Sequence, residues 1–219
     1  MENLPTSGVL SDENKTSDLD KAAVMRCRPI LFSTEMVQAI LLGRKTQTRR
    51  VVKVQPADLE FEIDNVCRDW NYIFKAYPKE ADIPIWNFGK CPFGEPGDIL
   101  WVRETMIKND GFTYWPVADG YKKNTHLDKT IPSIHMPKIA CRLFLKISAQ
   151  RIERLHKISE DDAIAEGITK PEKLQRFKKM ATVFFSRLWK RIYGDGSWNE
   201  NPFVWVIEFE VCERPNGFA

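Results

Sequence analysis

The 219-residue sequence lacks the features of a membrane protein, a disulfide framework or a zinc domain. It contains no run of about 18 uninterrupted apolar residues, which excludes a membrane-spanning helix. The five cysteines are widely spaced and form no CxxC pair, and the three histidines are scattered. We therefore expect reduced thiols, no structural metal site and no cofactor.

Glycine-rich nucleotide-binding motifs are also missing. The 11 glycines form neither GxGxxG nor GxxxxGK[ST], and the strand pattern has no regular crossover helices, which excludes the Rossmann and P-loop folds. The amino-terminal stretch lacks the basic start and apolar middle of a signal peptide. We expect a cytoplasmic protein that has no membrane partner, and nothing in the sequence specifies its oligomeric state.

The sequence does contain enough apolar residues for one folded domain. Hydrophobic residues make up 43% and aromatic residues 11% of the chain, while the net charge of +3 is a weak bias toward anionic partners. Residues 1–24 are polar and aperiodic, so we expect a flexible arm. Residues 25–219 then form a single domain, with insertions at about 55–96 and 106–139 where no sustained periodicity is visible.

The first half of the domain predicts a strand, a helix and further strands. RPILFS (28–33) is typical of a buried strand, and the next segment predicts a helix with Ser33 or Thr34 as N-cap and Gly43 as its end. QTRRVVKV then predicts a strand, as do DILWVRE and TYWPVA.

The second half predicts two strands that flank two helices. Residues 140–155 alternate as an antiparallel strand, and Ser159 and Asp162 have the spacing of a capping box in ISEDDAIAEGI. NPFVWVIEFEVC (201–212) predicts a final strand that is apolar on both faces at its start. The order predicts an α+β fold, a small and mostly antiparallel β-barrel decorated by helices.

The longest predicted helix, 171–192, is amphipathic. We predict that one stripe faces the core, formed by Leu174, Phe177, Ala181, Phe184, Leu188 and Ile192. The opposite face is basic and consists of Lys173, Arg176, Lys179, Arg187, Lys190 and Arg191. That face is either a solvated surface or a set of phosphate contacts.

The segment ILLGRKTQTRR (40–50) concentrates cations beside two threonines. Crowded positive charge or burial depresses the pKa of a lysine, so Lys45 could deprotonate a threonine hydroxyl and make it a nucleophile. The neighbouring Arg44, Arg49 and Arg50 could hold a phosphate, ribose or carboxylate. The alternative is that the arginines are solvated or paired with surface acids, while the threonines merely suit a strand.

Three charged residues elsewhere are candidates for the same kind of site. Glu166 lies just before the helix-ending Gly167, where the helix dipole disfavours a carboxylate, so it is either an exposed residue or a proton donor with a raised pKa. Arg103 and Glu104 close the DILWVRE strand and must point to opposite faces. One of them either binds a ligand inside the barrel or forms a salt bridge at its rim.

Four segments together resemble the ASCH domain family, a PUA-like β-barrel family. They are ILLGRKTQTRR, PGDILWVRE, ISEDDAIAEGI and VWVIEFE, and the resemblance covers about residues 28–212. It is strongest to the larger phage and prophage versions, which share CPFGEPGDILWVRET, PSIHMP and NPFVWVIEF. Small bacterial members hydrolyse the acetyl amide of N4-acetylcytidine and lack the segments at about 55–96 and 106–139.

The resemblance implies a catalytic role for three residues. The family motif glycine-arginine-lysine-threonine-x-threonine matches Gly43 to Thr48, so it implies Lys45 as proton acceptor and Thr48 as nucleophile. The family's glutamate aligns with Glu166 and implies a proton donor. Arg44, Arg49, Arg50, Arg103 and Glu104 are the candidate substrate-binding residues.

Two function hypotheses follow. The first is an amidohydrolase that acts on an acylated nucleoside or nucleobase such as N4-acetylcytidine, without a metal. The second is a non-catalytic module that binds RNA, another single strand, modified DNA or a nucleotide, in which the basic face of helix 171–192 contacts phosphates.

Overall fold

A computed structural model describes residues 26–53, 55, 66–68, 71–75, 85–109, 113–169 and 180–218. The predicted arm at 1–24 lies outside the described residues. No helix in these ranges is both long and apolar enough to cross a membrane.

The described elements alternate strands with a few short helices. In chain order they are β1 (Cys27–Leu31), α1 (Thr34–Leu41), β2 (Gln47–Val51), β3 (Val66–Arg68), β4 (Asn71–Lys75), β5 (Ile85–Lys90), β6 (Ile99–Arg103), β7 (Met106–Lys108), β8 (Tyr114–Pro116), β9 (Lys129–Ile131), β10 (Phe144–Arg154), α2 (Glu160–Ala165), α3 (Met180–Tyr193) and β11 (Phe203–Cys212). The predicted α+β class with mostly antiparallel sheets is confirmed.

The main sheet has five strands in the order β1-β6-β10-β11-β2. Only β1 and β6 run parallel within it, and β10 pairs antiparallel with β11 over almost its whole length. The register shifts by one residue between Ile147 and Ala149, as at a β-bulge. Sequence alternation therefore predicted both long strands, although they begin at Phe144 and Phe203 rather than at 140 and 201.

The two edge strands of this sheet, β1 and β2, approach each other through a side chain. Arg50 on β2 donates from Nη2 to the carbonyl oxygen of Leu31 on β1 at 2.6 Å. Its guanidinium also lies 5.3 Å from the ring centre of Phe32. Arg50 thus bridges the sheet edges across the aromatic ring.

Both faces of β11 are buried, as predicted for its start. Phe203, Trp205, Ile207 and Phe209 join the main hydrophobic cluster, to which α1 contributes Val37 and Ile40. The alternate residues Val204 and Val206 join a second cluster under α2 and α3. Because successive side chains point to opposite faces of a sheet and β11 lies between β10 and β2 with both faces covered, its first half, from Phe203 to Ile207, is apolar and buried throughout.

The short helices begin where the sequence predicts. Ser33 caps α1, and its hydroxyl accepts from Met36 N. Ser159 and Asp162 form the predicted capping box of α2, with both reciprocal hydrogen bonds present. Side chains that satisfy the free N–H groups of the first turn fix each helix start locally.

The predicted core stripe of the long helix is partly wrong. Of the residues that the structure describes on α3, the buried ones are Ala181, Phe185 and Trp189, whereas Ile192 is 48% exposed. Leu174 and Phe177 lie outside the described residues. Apolar residues cover more of the surface of this helix than one face. The face that packs on Val204 and Val206 is the one that carries residues 181, 185 and 189.

Each predicted insertion contains a small sheet of its own. Strands β3, β4 and β5 form one three-stranded antiparallel sheet, and β8, β7 and β9 form another. The strand predicted from TYWPVA is confirmed as β8. Met106 beside β6 packs with Phe144 and Phe218 in a third cluster, which attaches the second insertion to the main sheet.

We expect Phe185→Ala to destabilise the protein by about 3–5 kcal/mol, because it empties a buried site between α3 and the sheet. The matched control is Phe184→Ala, one position earlier on the same helix, whose side chain is only partly buried. Urea unfolding followed by circular dichroism measures both. Equal losses from the two variants would contradict the assigned packing face.

Candidate functional site

Lys45 and Glu166 form a buried ion pair. Lys45 Nζ lies 2.7 Å from Glu166 Oε2, and the two side chains are 0% and 5% exposed. The same nitrogen donates to Glu166 O at 3.0 Å and to Gln47 O at 2.8 Å. Each of the three N–H groups of the protonated amine therefore has an acceptor.

Backbone contacts hold the two residues together. The N–H groups of Arg44 and Lys45 both donate to Ala39 O after the end of α1, and Thr46 N donates to Ala165 O at 2.8 Å. Lys45 and Glu166 also form an isolated antiparallel bridge. The start of β2 is thereby joined directly to the end of α2.

Gly167 permits this close approach. Its φ is +90°, and a Cβ at this position would lie 3.0 Å from Ala39 Cβ and 3.1 Å from Lys45 Cβ. Glycine therefore ends α2 in the left-handed region and also leaves room for the lysine.

Arg49 is buried among three carboxylates. Its Nη2 lies 2.5 Å from Glu153 Oε1 and 3.2 Å from Asp162 Oδ2, and its Nη1 lies 3.4 Å from Glu166 Oε1. Arg151 contacts Glu153 and Asp162 from the more exposed side, at 3.1 and 2.9 Å. Glu166 is thus the inner end of a network of alternating charges.

Burial is the largest influence on Lys45 and lowers its pKa. The charge of Glu166 and the hydrogen bond to it oppose this shift, while the charges of Arg50 and Arg49 lower the pKa further. A buried amine beside two guanidinium groups is easier to deprotonate than an exposed lysine. The sequence-based expectation of crowding by positive charge agrees with this direction.

Thr48 lies on β2 with its side chain toward the main cluster. It stands opposite Ile207, a member of that cluster, and directly paired residues share one face of a sheet. The residue is 2% exposed. Lys45 Nζ reaches the same interior, 5.5 Å from the ring centre of Phe32, but in the described part of the chain no hydrogen bond joins it to Thr48.

A cavity of about 430 Å³ opens beside Glu166, between α1, the end of α2 and α3. Its wall combines apolar, acidic and basic groups, including Met36, Phe184, Leu188, Glu166, Arg187 and Arg191. Phe184 and Leu188 belong to the stripe predicted as core. In the structure their side chains line this cavity instead.

The remaining arginines of the 40–50 segment have structural contacts. Arg44 donates to the Thr169 hydroxyl, near the cavity, and Arg50 bridges the sheet edges through Leu31. Arg49 has its guanidinium in the acidic network. Of these three candidate substrate-binding arginines, Arg44 is the one that is exposed and contacts a residue of the cavity wall, Thr169.

Arg103 and Glu104 contact a different part of the molecule. Arg103 donates to the carbonyl oxygen of Ile134. Glu104, which is 1% exposed, binds Arg142 through both oxygens at 2.8 and 3.2 Å, and Arg142 also binds Asp119. The structure therefore joins Glu104 to the second insertion rather than to Lys45.

Two parts of the site were not identified from the sequence. Glu153 and Arg151 complete the network around Arg49. Their i, i+2 spacing on one strand predicts that both side chains lie on the same face of the sheet. Nothing else in the local sequence indicates that they belong to the site. Arg187 and Arg191 were assigned only to a general basic face, and their position on the cavity wall depends on how α3 packs.

No family model matches this chain, and no curated protein matches it. Two solved structures are similar to it. A DUF984 protein from Enterococcus faecalis V583 is 12% identical, with 90% of this chain and 86% of that chain covered and a TM-score of 0.39. An ASCH domain from Lactobacillus crispatus JV V101 is 16% identical, with 86% and 81% covered and a TM-score of 0.35. At TM-scores this low, neither similarity bears on the function of this chain.

We expect Gly167→Ala to destabilise the protein by about 1–3 kcal/mol, because the added methyl group meets Ala39 and Lys45 in a strained backbone conformation. Gly43→Ala is the matched control, since its φ is +69° but nothing lies within 4 Å of the added group. Thermal unfolding compares them. A loss at Gly167 no larger than the loss at Gly43 would show that the contact with Lys45 is not tight.

We expect the stability contributed by Asp162 to disappear at low pH. Burial raises the pKa of this carboxyl, but hydrogen bonds from Ser159 and the charge of Arg49 outweigh burial and lower it from 3.8 to about 2. A lowered pKa in the folded state stabilises the protein above the unfolded pKa, and this contribution is lost as pH falls toward the folded pKa. Urea unfolding at about pH 7 and about pH 3 measures the difference in free energy of unfolding between the wild type and Asp162→Asn. We expect this difference to be smaller at about pH 3 than at about pH 7. A difference that does not change with pH would contradict the lowered pKa of Asp162.

Proposed function

We propose that this protein is an amidohydrolase that removes an acyl group from a modified nucleoside or nucleobase, with N4-acetylcytidine as the reference substrate. The observation that carries the proposal is the 2.7 Å contact between the buried Lys45 amine and Glu166, beside a cavity large enough for a nucleoside. The match of Gly43 to Thr48 and of Glu166 to the family motif supports the same reaction.

The proposed chemistry requires a neutral Lys45, and the lowered pKa of this buried amine favours the neutral form. Lys45 accepts the proton of the Thr48 hydroxyl, and Thr48 Oγ1 attacks the acyl carbon. The proton passes along the Lys45–Glu166 contact to Glu166, which donates it to the leaving amine as the C–N bond breaks. Water then hydrolyses the acyl ester on Thr48, which releases the carboxylic acid and restores the hydroxyl.

The hydrogen bonds of Lys45 are compatible with this role in its neutral form. A protonated amine donates three hydrogen bonds, and Lys45 has three acceptors. A neutral amine donates two and carries a lone pair, so one acceptor is released and the lone pair can accept from Thr48. Because Thr48 is 2% exposed and does not line the cavity, the reaction also requires that the acyl group reach this buried hydroxyl.

The second candidate is a non-catalytic module that binds RNA, another single strand, modified DNA or a nucleotide. The same burial of Thr48 and the complete set of acceptors around Lys45 favour it. In that case the Lys45–Glu166 pair is a structural bridge, and the cavity binds a ligand without reaction.

Incubation with N4-acetylcytidine, with cytidine release followed by liquid chromatography, tests the proposal. We expect Thr48→Val to lower the rate by about 10³-fold or more, because it removes the nucleophile but keeps the side-chain shape. We expect Lys45→Ala to lower it by about 10²- to 10⁴-fold through loss of the base.

The matched controls are Thr46→Val and Lys53→Ala, both at exposed positions of the same region, which should retain the wild-type rate. Circular dichroism verifies that each variant is folded, and Thr48→Ser, which keeps a hydroxyl, should retain part of the activity. Equal rates from the wild type and Lys45→Ala would refute the role of Lys45. Binding of the nucleoside without any hydrolysis would support the second candidate.

A further inference from the structure

Two arginines of α3 face the cavity beside Glu166. Arg187 and Arg191 are one helical turn apart, and both line the cavity wall and are exposed. Among the residues that the structure describes, neither forms an ion pair. Arg49, Arg142 and Arg151, in contrast, each bind at least two carboxylates.

Local helix energetics do not account for both arginines. Like charges at i and i+4 on a helix surface repel each other. The helix dipole favours Arg191 in the last turn of α3, but the effect falls off within that turn and does not extend to Arg187. An anionic ligand would remove the repulsion.

The carboxylates on the cavity wall have other partners. Glu166 binds Lys45 and Arg49. The pKa of Glu35 is lowered first by the hydrogen bond of its own backbone N–H, then by the Ser33 hydroxyl, with Arg191 a smaller influence. The two guanidinium groups of α3 therefore line the cavity without an ion pair to an acid among the described residues, and Arg191 acts on Glu35 only through its charge at longer range.

The wall next to the arginines is apolar. Phe184 and Leu188 lie on it, with Met36 contributed by α1, and the guanidinium of Arg187 lies 5.7 Å from the ring centre of Phe184. A ligand that fits this cavity has a flat, weakly polar part for the aromatic wall and an anionic part for the arginines. A nucleotide has both, since every base offers a π-face and guanidinium groups match phosphate oxygens in geometry.

We propose that the cavity takes a phosphate-bearing nucleotide, whose base packs on Phe184 and whose phosphate is bound by Arg187 and Arg191. The inference rests on the proposed function, because it assigns a substrate class to the cavity that contains Glu166. The phosphate belongs either to a mononucleotide or to a nucleic acid strand. Both sources present the same group to the arginines.

Titration calorimetry of the wild-type protein with cytidine, cytidine 5′-monophosphate and a cytidine trinucleotide tests the inference. We expect the monophosphate to bind about tenfold more tightly than cytidine, and Arg187→Gln or Arg191→Gln to remove most of that difference while the affinity for cytidine stays within about twofold. Lys190→Gln is the matched control on the same helix, because Lys190 does not line the cavity, and it should keep the difference.

The trinucleotide distinguishes the two phosphate sources. If the ligand is a strand, the trinucleotide binds more tightly than the monophosphate, and its affinity falls more steeply with salt. If the ligand is a mononucleotide, the additional phosphates add no affinity. Either result agrees with a phosphate site at Arg187 and Arg191, provided that the arginine variants weaken it.

Three results would overturn the inference. They are equal affinities for cytidine and its monophosphate, a phosphate preference that survives both arginine substitutions, and no binding of any of the three ligands. Hydrolysis of N4-acetylcytidine is measured separately. Hydrolysis without a phosphate preference refutes only this inference, and an arginine-dependent phosphate preference without hydrolysis refutes only the amidohydrolase.

Discussion

The buried contact between Lys45 and Glu166 is the constraint on which the site depends. The two residues are 121 positions apart, and their ion pair and backbone bridge join the start of β2 to the end of α2. Removing two charges from water is costly unless geometry and further hydrogen bonds compensate. Here the additional acceptors around Lys45, and Arg49 beside Glu166, provide that compensation.

The same arrangement links the acidic network to the pKa of Lys45. The acidic network keeps Arg49 beside Glu166, and Arg49 in turn contributes to the lowered pKa of Lys45. A change in the outer carboxylates Glu153 or Asp162 therefore reaches the lysine through Arg49. One set of charges contributes both to the packing of the site and to the pKa of Lys45, so a substitution in the network acts on both.

Local sequence signals specified the elements whose causes are local. Ser33 and the Ser159–Asp162 capping box begin their helices as predicted, because these hydrogen bonds form within one turn. The alternation of residues 140–155 and 201–212 specified two long strands. The prediction of the buried face of α3 was partly wrong. Apolar residues cover a wide part of this helix, so its packing partners, Val204 and Val206, decide which of them are buried.

The sequence by itself determined which residue types stand at the site and the local structure on which each lies. It placed Lys45 between a helix and a strand, Thr48 in that strand and Glu166 at a helix end. Only the tertiary structure decided that Lys45 meets Glu166, that Arg49 is buried among acids, and that Arg187 and Arg191 face the cavity. Such contacts join residues far apart in the chain, and they exist only after the sheet and α3 have packed.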